Sequence, residues 1–317
     1  MIEAIPSNSP ITFPGLGIEI NPPQGFTLFG KLNIQFYGLI IAIGLILAVV
    51  YGMRRSKHFG LKQDDILDGV LWIVPVAIVC ARLYYCIFEW NQYKDNPISM
   101  LYIWNGGLAI YGGVIGAAIC VVVHCKIKKI SLGAVLDLVA LGFLIGQAIG
   151  RWGNFFNREA FGAETENFLR MGLMLHADGP RSLTEHFFHP TFLYESLWNT
   201  VGFIGLHLLS KKRQYDGQIA LGYVAWYGLG RALIEGLRTD SLYIFKDTIG
   251  EVLRVSQLVA AVSCLAAVAV LVWQAFRKHD KEKLFVNKVA ARQAAAEAEA
   301  AAESTEETAA EPETDAE

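Results

Sequence analysis

The stretch SLGAVLDLVALGFLIGQAIGRWGNFFNREAFG, residues 131–162, changes character near its middle. Its first part is apolar enough to cross a membrane, and Asp137 is the one charged residue before Arg151. Arg151 then begins a run of hydrogen-bonding side chains that continues with Asn154, Asn157, Arg158 and Glu159. Because such groups are costly in lipid and mark functional sites, the stretch predicts a membrane helix that ends at a polar site.

The rest of the chain is similarly apolar, since 53% of its 317 residues are hydrophobic and its mean hydropathy is +0.36. Two runs, 32–53 and 255–276, contain no charged residue and reach the ~20 residues that a helix needs to cross a bilayer. The runs are continuous rather than alternating, which argues against a membrane β-barrel. We therefore predict an all-α polytopic membrane protein.

We predict seven transmembrane helices, at residues 33–53, 67–89, 107–125, 132–151, 190–210, 217–237 and 255–276. Four of the connecting segments are rich in Lys and Arg, namely 54–62, 126–129, 211–213 and 277–283. Basic loops remain in the cytoplasm, which predicts an N-terminus outside and a C-terminus inside. The first 30 residues contain no Lys or Arg, so no cleavable signal peptide is expected.

The C-terminal segment differs from the rest in composition. Residues 291–317 are a low-complexity Ala/Glu stretch with nine acidic residues and one arginine. Such a stretch has no apolar face to bury, so we expect a seven-helix catalytic domain at 1–283 and a disordered acidic cytoplasmic tail at 284–317. The five cysteines lack CxxC spacing, so neither a metal site nor a disulfide framework is indicated.

Of the charged residues in or next to the predicted helices, Asp68 and Asp137 lie towards the inside, and the other seven collect at the outer ends. The seven are Arg82, Glu89, Arg151, Glu195, Arg231, Glu235 and Arg238. Snorkelling to the interface would explain isolated members such as Glu89, and an i, i+4 ion pair would explain Arg231 with Glu235. Several arginines at one outer cavity instead indicate an anionic ligand, because the planar guanidinium binds phosphate oxygens bidentately. A phospholipid phosphate is the anion available at that depth.

Glycine-rich stretches accompany these charges. Gly142, Gly146 and Gly150 form a GxxxGxxxG stripe, which predicts close approach of a neighbouring helix and carries no chemistry. A second stretch, NGGLAIYGGVIG at 105–116, sets Tyr111 among small residues at the outer level. An interfacial tyrosine is ordinarily a member of the aromatic belt, so Tyr111 alone indicates no function.

Six stretches together resemble one family, the bacterial phosphatidylglycerol–prolipoprotein diacylglyceryl transferases. GRWGNFFNREAFG at 150–162 matches the specific family signature G-R-x-G-N-F-x-N-x-E. The others, in the expected order, are FYGL, ARLYY, WNGGLAIYGG, HPTFLYE and YGLGRALIEGLR. The resemblance covers residues 30–276 and implies an outward-facing site in the bacterial cytoplasmic membrane. It also implies transfer of diacylglycerol from phosphatidylglycerol to the lipobox cysteine thiol of a prolipoprotein, with release of glycerol phosphate.

The resemblance implies functional residues at Tyr37, Arg151, Asn154, Glu159, Gly162, Arg231 and Glu235. We expect Arg151 and Arg231 to clamp the lipid phosphate, with Glu235 orienting Arg231. Asn154 and Tyr37 are expected to hold phosphate or glycerol oxygens. The substrate-binding candidates are Glu159, Gly162, Arg82, His189, Glu195 and Arg238.

The base that removes the thiol proton is open between Tyr111, His189 and Glu195. Members of the family place a histidine where this chain has Tyr111, and a phenol with a pKa near ~10 is a poor base at neutral pH. His189 has the ordinary pKa for the task, although a histidine before proline at a helix entrance can be a simple loop residue. No cofactor or metal is expected. The expected partners are phosphatidylglycerol, prolipoproteins and the bilayer, without nucleic acid.

A transporter or flippase for an anionic lipid or solute is the alternative function, since it too would use membrane arginines. Such proteins typically contain inverted repeats and broken helices near the bilayer midplane. This sequence has no visible internal repeat, and its charges lie at one level. A scaffold protein is a third class, but it leaves the one-sided clustering of charges unexplained.

Overall fold

The computed structural model describes residues 9–30, 32–103, 106–176, 183–238 and 255–310. Most of these residues are helical. The helices are α1 Phe36–Arg55, α2 Gln63–Phe88, α3 Trp90–Tyr93, α4 Ile110–Lys128, α5 Leu132–Asn157, α6 Thr191–Ser210, α7 Gln218–Ile234, α8 Val255–Ala275 and α9 Phe285–Ala310. The strands are β1 Ile11–Phe13, β2 Ile18–Ile20, β3 Gly25–Leu28, β4 Leu32–Gln35, β5 Met171–His176 and β6 Leu183–Phe188.

Five stretches of helix are long and apolar enough to cross a membrane. They are Phe36–Phe59, Gln63–Phe88, Ile110–Lys128, Leu132–Asn157 and Ser256–Ala275. The prediction of a mainly helical, multi-pass membrane protein is therefore confirmed. The other two predicted spans correspond to α6 and α7, which form as helices but do not meet these conditions. The α7 helix has 17 residues, and α6 buries the polar residues Glu195, Ser196 and Asn199.

Two small sheets lie outside the helices, so the all-α prediction is wrong for these segments. One is antiparallel with the strand order β2-β1-β5-β6, and the other is the hairpin β3-β4. The strands have three to six residues, which is too short for alternation of apolar and polar side chains to stand out in the sequence. Ile11 and Leu173 of the larger sheet pack with Phe155 of α5 and Phe192 of α6. The sheet therefore packs against the ends of these two helices.

The chain divides into two compact units. The first contains Met1–Tyr51, Asp137–Arg213 and Gln218–Lys278, and the second contains Gly52–Leu136, Gln214–Gly217 and His279–Glu317. In the second unit, α4 approaches α2 closely through Gly112 and Gly116, because a Cβ at either glycine would collide with Cys80. In the first unit, Gly44 of α1 lies against the backbone of Gly146, and Gly142 faces Ala48, so α1 approaches α5 along part of the predicted glycine stripe. A Cβ added at Gly146 or Gly150 would meet no atom within 4 Å, so these two glycines are not required by packing among the described residues.

A reciprocal pair of tryptophans locks α6 to α7 in the first unit. The indole N–H of Trp198 donates to the backbone carbonyl of Trp226 at 3.1 Å, and the indole of Trp226 donates to the carbonyl of Trp198 at 3.0 Å. The two rings stack with centroids 4.4 Å apart. Trp198 lies over Gly230 and Trp226 over Gly202, where any side chain would collide with the indole. These contacts set the register of the two helices.

The C-terminal segment is anchored at its start and exposed beyond it. Leu284 is 7% exposed, and Phe285 donates its backbone N–H to Asp216 at 2.9 Å. Gly60, at a φ of +75°, lies against the backbone of Val286. Every side chain at positions 290–300 of α9 is exposed. Contacts with the second unit thus extend a few residues past the predicted domain boundary at 283.

Candidate functional site

A buried carboxylate, Glu195, lies at the centre of the predicted charged residues of the first unit. It belongs to the second turn of α6 and is 5% exposed. Its Oε2 is 2.6 Å from Nη2 of Arg151. Its Oε1 is 3.5 Å from Nη1 of Arg238 and 3.7 Å from Nη1 of Arg231. Arginines from α5, from α7 and from the segment after α7 therefore converge on one carboxylate.

A second buried carboxylate, Glu235, supports Arg231 from the following turn. Glu235 is 2% exposed, and its Oε2 is 2.8 Å from Nη2 of Arg231. Its Oε1 accepts a hydrogen bond from Ser256, at the start of α8, at 2.6 Å. Nη1 of Arg231 is buried and has no hydrogen-bond partner among the described residues. The guanidinium is thus oriented by Glu235 and keeps donor capacity for a ligand.

The cluster is built from opposite charges. Its three arginines face the two buried carboxylates. The side chains of Arg151 and Arg231 are each 21% exposed, and that of Arg238 is 10% exposed. A ligand can therefore reach the guanidinium groups, and an anion such as a phosphate is complementary to them.

The end of α5 adds neutral polar groups beside Arg151. Asn154 accepts a hydrogen bond from Arg151 at 3.4 Å and donates one to Glu159 at 2.9 Å. Tyr37, at the start of α1, lies against Gly153, where an added Cβ would be 2.7 Å from the phenol ring. The structure thus brings Asn154 and Glu159 to Arg151, and it brings Tyr37 to the same turn of α5.

Gly162 occupies a place that admits no side chain. Its N–H donates to the carbonyl of His189 at 2.9 Å, and it pairs with Arg238 in an antiparallel bridge. An added Cβ would lie 2.7 Å from the Cβ of His189 and 2.8 Å from the carbonyl oxygen of Leu237. The backbone at 162–165 therefore joins β6 to the segment that carries Arg238, and it positions that arginine.

His189 follows β6 and is held by two side chains. Its Nδ1 is 3.1 Å from Nδ2 of Asn167 and 3.4 Å from the hydroxyl of Tyr194. Asn167 also lies 3.1 Å from the Tyr194 hydroxyl. Burial lowers the pKa of His189 below its ordinary value, so the ring is neutral at pH 7. The sequence pattern did not mark Asn167 or Tyr194, because neither stands at a regular spacing from His189 on a common helix.

Arg158, which was not among the predicted site residues, serves the fold. Its guanidinium is buried and donates to the carbonyls of Ser9 at 2.8 Å and Pro22 at 2.9 Å, and to the Asn21 side chain at 3.0 Å. Burial lowers the pKa of Arg158, yet a guanidinium is so strong a base that it stays charged at neutral pH. Arg158 thus ties the N-terminal segment to the end of α5.

Two predicted site residues, Arg82 and Tyr111, belong to the second unit. Arg82 is 6% exposed. Its guanidinium donates to five backbone carbonyls at 2.6 to 3.4 Å, those of Ser99, Met100, Tyr102, Gly106 and Gly107. These bonds direct Arg82 to the loop that precedes α4. Tyr111, the second residue of α4, is 64% exposed.

Known proteins match nearly the whole of the helical region. A family model described as prolipoprotein diacylglyceryl transferase matches residues 23–273. A phosphatidylglycerol–prolipoprotein diacylglyceryl transferase of Enterococcus faecalis is 43% identical over 267 residues, which cover 83% of this chain and 93% of that protein. Proteins of the same name from Lysinibacillus sphaericus and Bacillus velezensis are 39% and 41% identical, covering 86% and 84% of this chain and 98% and 97% of their own lengths. The region matched by the family model contains every candidate site residue described above.

Proposed function

Because this chain belongs to the prolipoprotein diacylglyceryl transferase family and is a transferase, we propose that it moves the diacylglyceryl group of phosphatidylglycerol to the lipobox cysteine thiol of a prolipoprotein. Glycerol phosphate is the second product, and the reaction begins bacterial lipoprotein maturation. The observation that carries the proposal is the convergence of Arg151, Arg231 and Arg238 around buried Glu195. The guanidinium groups of this cluster are complementary to a lipid phosphodiester.

The transfer reaction develops negative charge on the leaving group, so positively charged side chains that are already in position can assist it. The thiolate sulfur attacks the glycerol carbon that bears the phosphate ester. The S–C bond forms as the C–O bond breaks, and the electron pair stays on the departing phosphate oxygen. Groups that stabilise this developing charge lower the barrier. We assign that role to Arg151 and Arg231, with Glu235 orienting Arg231 through the 2.8 Å ion pair.

Neighbouring residues hold the lipid or the arginines. Asn154 and Tyr37 are proposed to bind phosphate or glycerol oxygens, and Glu159 to orient Asn154 through the 2.9 Å hydrogen bond. Glu195 is proposed as a positioning residue rather than the base, because its two carboxylate oxygens already face three guanidinium groups. Arg82 is proposed to organise the loop before α4 through its carbonyl contacts.

His189 is our candidate for the base. Its lowered pKa keeps the ring neutral, and a neutral imidazole can accept a proton. The oxygen and nitrogen ends of a side-chain amide are interchangeable in geometry. When Asn167 presents its oxygen to the Nδ1–H of His189, the Nε2 atom remains as the proton acceptor. Tyr111 is then proposed as a hydrogen-bond donor to the lipid headgroup.

We also propose the membrane arrangement in full. All seven predicted helices, including α6 and α7, cross the bacterial cell membrane, with the N-terminus outside and the C-terminus in the cytoplasm. The alternation of basic loops at 54–62, 126–129, 211–213 and 277–283 supports this orientation. The arginine cluster then opens towards the outer leaflet, where prolipoproteins emerge.

Reconstitution tests the proposed function directly. Purified protein is combined with phosphatidylglycerol and a lipobox peptide, without any ion gradient, and the peptide is analysed by mass spectrometry. Thioether-linked diacylglycerol on the peptide is the expected product. Movement of a lipid or solute across the vesicle membrane without peptide lipidation would support a transporter or flippase instead.

We expect Tyr111→Phe to lower the transfer rate without abolishing it. The exposed hydroxyl at the start of α4 can donate to a phosphate or glycerol oxygen without ionising. Losing such a bond costs ~1–3 kcal/mol, which is about 10- to 150-fold in rate. The measurement is the pH–rate profile of the variant beside that of the unmodified protein. Complete loss at every pH in a folded variant would return the role of base to Tyr111.

We expect removal of residues 291–317 to leave the specific activity unchanged. The deleted segment follows the anchored start of α9, its side chains at 291–300 are exposed, and the proposed topology puts it on the cytoplasmic side. Truncation after Lys283 is the comparison, and it should lower thermal stability because it removes buried Leu284. Activity is compared at equal protein abundance. A large loss of specific activity after removal of residues 291–317 alone would mean that the acidic tail takes part in the reaction.

A further inference from the structure

Neutral polar side chains lie one helical turn away from the arginine cluster, towards the middle of the helices. On α5, Gln147 precedes Arg151 by four residues, and on α6, Asn199 follows Glu195 by four residues. The α7 helix contributes Tyr223, which precedes Arg231 by eight residues, about two turns, and whose hydroxyl accepts a hydrogen bond from Gln147 at 2.9 Å. Residues four apart lie on one face of a helix, about 6 Å apart along its axis. The amides therefore lie beneath the charges on the same helix faces.

The two amides lie at the same level because α5 and α6 run in opposite directions there. Arg151 contacts Glu195. Ala148 lies three residues before Arg151 in α5, and Ser196 lies one residue after Glu195 in α6. The carbonyl of Ala148 accepts a hydrogen bond from Ser196 at 2.8 Å. One turn from the ion pair, the two helices thus bring their amide side chains to a common depth. We call this group of Gln147, Asn199 and Tyr223 the amide layer.

The amide layer contains hydrogen-bonding atoms that the protein leaves unused. Asn199 is 2% exposed, and its Oδ1 has no hydrogen-bond partner among the described residues. The same holds for the buried Oε1 of Gln147 within the described ranges. Buried polar atoms are nearly always paired, and leaving them unpaired in the membrane interior is costly. Two such atoms at one depth, beneath a phosphate-binding cluster, indicate a polar ligand.

We propose that the amide layer is a subsite for the ester groups of the phospholipid glycerol backbone. When the arginines hold the phosphate, the two ester carbonyls lie a few bonds deeper, towards the acyl chains. Ester oxygens accept hydrogen bonds, and both side-chain amides can donate them when they are turned so that N–H groups replace the unpaired oxygens. In that orientation the Tyr223 hydroxyl donates its proton to Oε1 of Gln147. The inference rests on the proposed function and deepens it, because it names the part of the lipid that is held while the headgroup leaves.

The test changes both partners of the hydrogen bonds. Phosphatidylglycerol with ester-linked chains is compared with a dialkyl ether analogue, which keeps the headgroup and lacks the carbonyls. Each lipid is presented to the unmodified protein, to Gln147→Leu and to Asn199→Leu, and kcat/KM for a lipobox peptide is measured. Thr200→Val is the matched control, since the Thr200 hydroxyl bonds to the carbonyl of Ser196 in its own helix. Stabilisation of each protein against heat by each lipid is measured in parallel.

The expected result is an ester preference that depends on the amide layer. The unmodified protein and Thr200→Val should prefer the ester lipid about tenfold, as expected for the loss of one or two hydrogen bonds. Both leucine variants should lose most of this preference, because their activity should fall further with the ester lipid than with the ether lipid. Equal use of both lipids by the unmodified protein, or an equal loss with both lipids in the variants, would overturn the subsite. Absence of peptide lipidation with either lipid would reject the proposed function, and the thermal comparison would still test lipid binding at the subsite.

Discussion

Arg231→Ala is expected to lower diacylglyceryl transfer by at least about a hundredfold, the typical effect of removing one preorganised donor to a developing anion. The guanidinium is oriented by Glu235 at 2.8 Å, and its buried Nη1 has no hydrogen-bond partner in the described parts of the chain. Alanine removes this donor together with the ion pair that Arg231 makes with Glu235. Arg151→Ala should have a similar effect, because Arg151 lies on the other side of Glu195.

Two comparisons separate a phosphate clamp from a general need for charge. Arg231→Lys should recover little activity, because an ammonium replaces a bidentate fork by a point charge. Arg277→Ala is the matched control, since its guanidinium stacks on Trp273 with 3.8 Å to the ring centroid, outside the cluster. Lipidated peptide is quantified by mass spectrometry on purified, folded protein. If either Arg151→Ala or Arg231→Ala kept most of the activity, the proposed clamping of the lipid phosphate by these arginines would be ruled out.

Glu195→Gln is expected to affect stability and activity together. The substitution keeps the shape of the side chain but removes the negative charge that faces three arginines. Breaking a buried ion pair from one side typically costs ~3–5 kcal/mol, because the remaining charge is left uncompensated. The guanidinium groups of Arg151 and Arg231 would repel each other and lose their positions, so transfer should fall at least as far as in Arg231→Ala.

The control for Glu195→Gln is a carboxylate outside the cluster. Glu89 is exposed and accepts a hydrogen bond from Gln92 at 2.8 Å, so Glu89→Gln should change neither property. Thermal unfolding in detergent and peptide lipidation are measured for both variants. A Glu195→Gln protein with normal stability and a pH-dependent loss of activity would instead identify Glu195 as the base.

The sequence alone determined the class of protein and most of its helices. In a bilayer, backbone groups must be paired within the segment, so a long apolar run is sufficient to predict a helix. Contacts between residues one turn apart were predictable too, such as the pair of Arg231 and Glu235, which are four residues apart. Prediction from apolar runs was weaker for α6, because the buried polar residues Glu195 and Asn199 lower its hydropathy. It was also weaker for the strands, because they are short.

Tertiary structure decided which residues meet and what each is free to do. Glu195 was one of three candidates for the base, and its position among arginines from other segments is the reason that we propose it as a positioning residue instead. Arg82 was grouped with the other outer arginines, yet its guanidinium donates hydrogen bonds to backbone carbonyls of the loop before α4. Partners in these contacts are separated by 17 to 44 residues, and in an extended chain nothing distinguishes them from unrelated positions. Helix packing makes the choice, because it fixes which side chains share a buried space where every charge needs a partner.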